Sequence, residues 1–118
     1  MIRIAVVVVA GTETHADLGR VVNALVTVKV AKEAGDQIRL IFDGAGTQWI
    51  GELADPRHRS HALYEAVEGQ ITGVCQYCAK AYSATDAVQA AGVPLLDEYQ
   101  QHPSLRNLIA EGFQVLIF

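Results

Sequence analysis

The run Ile2–Ala10 (IRIAVVVVA) constrains the fold more than any other stretch. It is continuously apolar and dominated by valine, with none of the alternation of a half-exposed strand. β-Branched residues favour extended backbone, and a strand with no polar side must be covered on both faces. That is the place of a central strand in a parallel sheet. Parallel neighbours need crossover connections, usually helical, so this run already demands strand–helix–strand units.

The rest of the chain supplies them. Gly11–Ala16 (GTETHA) is a polar turn, and Asp17 is the expected N-cap of a helix reaching Ala34. Leu18, Val21, Val22, Leu25, Val28 and Ala31 keep helical spacing, although Val26–Val30 (VTVKV) alternates like a strand. The helix is preferred because a crossover is required there and Gly35-Asp36 makes a good stop. Its apolar residues lie on more than one side, which points to packing against another subunit as well. Gln37–Phe42 (QIRLIF) is the second strand and runs into the loop Asp43-Gly44-Ala45-Gly46-Thr47. Trp49, Ile50 and Leu53 form a short helix broken at Ala54-Asp55-Pro56, and Ser60–Gln70 a further one. Ile71, Thr72 and Val74 make a third strand, followed by a helix ending near Tyr82-Ser83. Thr85–Ala91 is a brief helix, Val93–Leu96 a fourth strand that Pro94 assigns to an edge or a strand start, and Asp97–His102 a polar tract. Ser104 caps a last helix, and Phe113–Phe118 (FQVLIF) is a terminal strand. The expectation is one α/β domain over residues 1–118, three-layered, with a largely parallel sheet of about five strands flanked by helices.

Composition narrows the function classes. The chain of 118 residues is 51% apolar, enough for a core without covalent staples. No apolar run reaches membrane-spanning length, and the N-terminal run is too short for a signal peptide, so a cytoplasmic location is expected. A net charge of −4 without a basic cluster argues against direct nucleic-acid binding, and no membrane partner is expected.

The chemistry concentrates in Ile71–Tyr82 (ITGVCQYCAKAY), which holds both cysteines, Cys75 and Cys78, as C-x-x-C. With Val74 ending a strand, Cys75 lies at the sheet's carboxyl edge, where α/β proteins place their sites, and Cys78 falls in the first turn of the next helix. A helix N-terminus stabilises a thiolate, so Cys75 and Cys78 are the candidate catalytic residues. The alternative is two inert thiols packed in the core. Reactive thiols would serve a dithiol/disulfide couple, a metal pair, or a sulfur relay through a persulfide. No Trp precedes Cys75, unlike the thioredoxin context, and a metal pair needs two further ligands. His58 and His61 (H-x-x-H) are poor candidates for those, so no metal and no other cofactor is expected.

Around this turn, His15 on the loop after the first strand is a candidate base or hydrogen-bond partner for the thiol. Asp43 ends the second strand and would face the same crevice. Gly44 and Gly46 would converge backbone N–H groups on an anion, although glycines there can equally just turn strand into helix. Tyr77 and Trp49 would wall the pocket, or pack in the core or a subunit interface.

The opening valine-rich strand, the G-T-E turn, a first helix ending A-K-E-A-G, a second strand ending F-D-G-A-G, the V-C-x-x-C-A turn and a closing E-G-F-Q-V-L-x-F strand together resemble the DsrE/DsrF-like family. The resemblance runs in order along the whole chain. It implies an α/β fold with a parallel sheet and assembly as a homo-oligomer, a trimer or hexamer. It also implies sulfur carried as a persulfide on the cysteine after the third strand, here Cys75, passed between sulfur donor and acceptor proteins. Ala79–Ser83 (AKAYS) replaces the R-R-G-like segment of the relay branch. A non-catalytic oligomeric binding module and a thiol–disulfide switch using Cys75 and Cys78 are the alternatives.

Overall fold

The computed structural model describes residues 1–118. Its five strands are β1 (Arg3–Val8), β2 (Gln37–Phe42), β3 (Ile71–Cys75), β4 (Leu95–Leu96) and β5 (Gln114–Ile117), and its helices are α1 (His15–Glu33), α2 (Trp49–Ala54), α3 (His61–Val67), α4 (Gln76–Ala81), α5 (Thr85–Ala90) and α6 (Leu105–Ala110). The sheet is parallel throughout, in the order β4-β3-β2-β1-β5. The valine run is therefore internal to the sheet, paired with β2 on one side and β5 on the other.

The order explains the layers. The chain steps outward from β1 to β4, and right-handed crossovers in one direction put their helices on one face. The last crossover, through α6, travels the opposite way to set β5 beside β1, and α6 covers the other face. Side chains of β1 divide accordingly: Ile4, Val6 and Val8 enter a core of 20 buried residues with α1 to α5, whereas Ala5 and Val7 enter a core of 5 with Leu108 and Phe113. No helix is long and apolar enough to cross a membrane.

Two boundaries differ from the sequence reading for physical reasons. Thr14, not Asp17, caps α1: its Oγ1 accepts the Asp17 N–H at 3.0 Å, so His15 and Ala16 join the first turn. The alternation at Val26–Val30 is accidental. Val21, Ala24, Leu25, Val28 and Ala31 are buried at helical spacing, while Val26 and Val30 face solvent. The fourth strand shrinks to Leu95–Leu96 at the sheet edge, with the Pro94 carbonyl accepting the Val74 N–H at 2.9 Å.

Gly46 shows how tightly the second loop is seated. A Cβ there would lie 2.1 Å from the Val8 carbonyl oxygen, so only glycine lets this turn lie against the end of β1.

Candidate thiol–imidazole site

In a parallel sheet the loops after each strand open on one edge, and three of them build this site. Cys75 ends β3 and is fully buried. It also caps α4, its Sγ accepting the Cys78 N–H at 3.4 Å. From the loop after β2, Asp43 Oδ1 accepts from the Cys78 thiol at 3.4 Å. From the loop after β4 comes a residue the motif reading passed over: His102 Nδ1 lies 3.2 Å from Cys75 Sγ.

His102 is held by unusual backbone. Gln100 and Gln101 have φ of 46° and 69°, and Tyr99 and His102 exchange both backbone hydrogen bonds, at 2.9 and 2.8 Å. Two successive positive φ values between such a pair describe a type I′ turn, which glycine and asparagine adopt more cheaply than glutamine. The turn is tied to α4 as well, because the Tyr77 N–H donates to the Gln101 carbonyl at 2.9 Å and the Tyr77 ring packs against His102, tilted by 37° with centroids 4.8 Å apart. Strain concentrated beside a thiol is what a positioned functional group looks like.

The electrostatics overturn one expectation. The helix start was expected to stabilise a Cys75 thiolate, but burial pushes this thiol up to about 12. The Cys78 N–H works against that rise, while the Cys78 thiol and the Asp43 charge add to it. A helix of six residues has little dipole to set against this desolvation. The resting group is thus a thiol. Its proton has two acceptors in reach, the Gln101 carbonyl at 3.7 Å and His102 Nδ1 at 3.2 Å, and the shorter contact offers a route for proton transfer. Cys78 and His102 are only half-buried, so the site opens to solvent on their side. A cleft of about 440 Å³ lined by Tyr77, Lys80, Ala81 and Gln101 runs alongside it.

The other nominated residues fall elsewhere. His15 is exposed on the first turn of α1 and makes no hydrogen bond to either thiol. Gly44 and Gly46 form a 3₁₀ turn (Gly44–Gln48) whose N–H groups are already bound, Gly44 to Asp43 Oδ1 and Gly46 to the Asp43 carbonyl, both at 2.8 Å. They are therefore not an open anion cradle. Trp49 is core, its Nε1–H donating to the Ala10 carbonyl at 2.8 Å. His58 and His61 serve local structure: His58 Nδ1 accepts the Ser60 N–H, and His61 Nδ1 lies 2.7 Å from the Leu53 carbonyl. His102 was legible by the rule that nominated His15 and Asp43, since it too lies on a loop after a parallel strand. Its reach to β3 was not, because strand order decides which loops meet.

The chain is similar to an uncharacterized protein of Methanocaldococcus jannaschii, at 24% identity over 85 residues that cover 72% of this chain and 69% of the other. No family model matches the chain, and no solved structure does.

Proposed function

We propose that this protein carries sulfane sulfur, accepting it on Cys75 as a persulfide and handing it on. The observation that carries the reading is the Cys75 Sγ–His102 Nδ1 contact of 3.2 Å at the carboxyl end of β3. A thiol held protonated by burial needs a base at hand when it reacts, and His102 is that base. His102 takes the Sγ proton as Cys75 attacks the outer sulfur of a donor persulfide. The donor's S–S bond breaks, its inner sulfur leaves as a thiolate and takes up a proton, and Cys75 becomes a persulfide with no net oxidation.

Two routes release the sulfur. An acceptor thiolate attacks the outer sulfur and regenerates the Cys75 thiol. Alternatively Cys78 attacks Cys75 Sγ, expelling hydrosulfide and leaving a Cys75–Cys78 disulfide that an external dithiol must reduce. The half-buried position of Cys78 beside Asp43 supports its part as the resolving thiol. The cleft beside Tyr77 and Gln101 gives donor and acceptor proteins an approach. Assembly as a trimer or hexamer belongs to the same reading; exposed Ile2, Val26 and Val30 give it an apolar surface.

The test is intact-mass spectrometry of the metal-free protein after exposure to a persulfide donor without reductant. The expected product has gained one sulfur atom, mapped to Cys75, and Cys75→Ser does not load. Undiminished loading of Cys75→Ser overturns the assignment. Loss of two hydrogens with no sulfur gained would favour a plain thiol–disulfide switch.

A further inference from the structure

We infer that Cys75, Cys78 and His102 form a site for a zinc-class divalent cation, with an exchangeable fourth position facing solvent. The site uses the residues of the sulfur-carrier reading but does not depend on that reading.

Two thiolates and an imidazole are the donor set that selects zinc-like ions over magnesium or calcium. The C-x-x-C spacing is that of a chelating pair, with one sulfur at a strand end and the other in the first turn after it. Sulfur ligands at about 2.3 Å and a nitrogen ligand at about 2.0–2.1 Å around a tetrahedral ion stand about 3.5–3.8 Å from one another. Here the three donor atoms all lie within 4.8 Å of one another, and Cys75 Sγ and His102 Nδ1 are already 3.2 Å apart. Only a small adjustment separates this arrangement from a coordination sphere.

The ligands are also positioned in advance. Cys75 is fixed by β3, and His102 by the strained turn at Gln100-Gln101, which the Tyr77 N–H ties to α4. Asp43 Oδ1, accepting from the Cys78 thiol at 3.4 Å, holds that side chain beside Cys75 before an ion enters, and the contact ends when the thiol proton leaves. Binding is balanced in charge: the dication displaces the two thiol protons, which leave to solvent, and the neutral imidazole adds no charge. The resulting neutral centre suits a half-buried site. Because Cys78 and His102 are the solvent-facing members, an ion can enter from that side, and the fourth position stays open to water or a small thiol.

The experiment titrates reduced, chelator-treated full-length protein with Zn²⁺ against a chromophoric chelator, and in parallel with Co²⁺. The expected result is one ion per chain, proton release, and cobalt spectra showing thiolate charge transfer and tetrahedral bands. His102→Ala should weaken binding by more than about 100-fold, beyond the 10–100-fold typical of losing an outer partner. If His102→Ala does not fold, His102→Cys decides: it should keep the ion with added sulfur-to-cobalt absorption. Absence of binding in the native chain overturns the site. Undiminished binding in His102→Ala, or a His102→Cys spectrum identical to the native one, does so too, because either means the cysteines alone hold the ion between chains. Sulfur loading is scored separately on metal-free protein. Loading without zinc binding removes only the metal site, and zinc binding without loading removes only the carrier reading.

Discussion

The two faces of the sheet are built differently. One is covered by five helices over 20 buried residues, with Phe42, Leu25, Trp49 and Ile50 almost wholly enclosed. The other carries α6 over a core of 5, and two guanidiniums finish the job: Arg3 and Arg39 lie 4.5 and 4.9 Å from the centre of the Phe113 ring. Phe42 and Val74, partners across β2 and β3, enter the thick core, and Asp43 and Cys75 follow them at the carboxyl edge of the sheet. The lesson is a division of labour. The thick face supplies stability, and the carboxyl edge of the sheet carries the loop that brings His102 to the last residue of β3.

Perturbations of each face should separate accordingly. Phe42→Ala, opening a cavity in the thick core, should cost about 3–5 kcal/mol in denaturant unfolding. Gly46→Ala forces a methyl group into the Val8 carbonyl and should cost about 2–3 kcal/mol by the same measurement. Leu108→Ala, on the thin face where α6 can settle toward the sheet, should cost about 2 kcal/mol, the low end for such a truncation. A Leu108→Ala loss equal to that of Phe42→Ala would break the comparison. Gln101→Gly, which removes the steric cost of its positive φ, should raise stability by about 1 kcal/mol. It should leave the rate of sulfur loading unchanged, because glycine suits the turn that holds His102.

The pH response sharpens the same contrast at the smallest scale. Cys75 keeps its proton in the folded chain up to about 12, whereas in the unfolded chain a thiol loses it near 8.5. The folded state then binds more protons, so this group's stabilisation is complete below about 8.5 and is lost as pH rises toward 12. Unfolding measured from pH 7 to 10 should show a decline that Cys75→Ser reduces. An identical decline in that variant would mean that Cys75 is not the group responsible.

Much of this architecture was legible in the residues. The unbroken valine run identified a strand covered on both faces, and QIRLIF and FQVLIF read as strands, which the fold places on either side of it. Helical spacing from Val21 to Ala31 outweighed the misleading VTVKV because burial follows the face of the helix, not local β-propensity. Strand order was not legible, since no local signal tells the last crossover to return beside β1. The site was half visible for the same reason. Cys75, Cys78 and Asp43 announced themselves by spacing and by strand ends, while His102 needed β4 to be placed next to β3 before its loop could reach the thiol. The expected thiolate failed on burial, which comes from the tertiary fold around the end of β3 and is not encoded in the C-x-x-C spacing.

The coupling of Cys75 to His102 is the centre of this account, and the rate of sulfur loading tests it most directly. Metal-free native protein and His102→Ala should be compared across pH 6 to 10, with the added sulfur located by peptide mapping. Loss of the base should slow loading at neutral pH by about 100-fold or more, with the gap narrowing as hydroxide takes over the proton. Equal rates at neutral pH, or sulfur appearing first on Cys78, would contradict it.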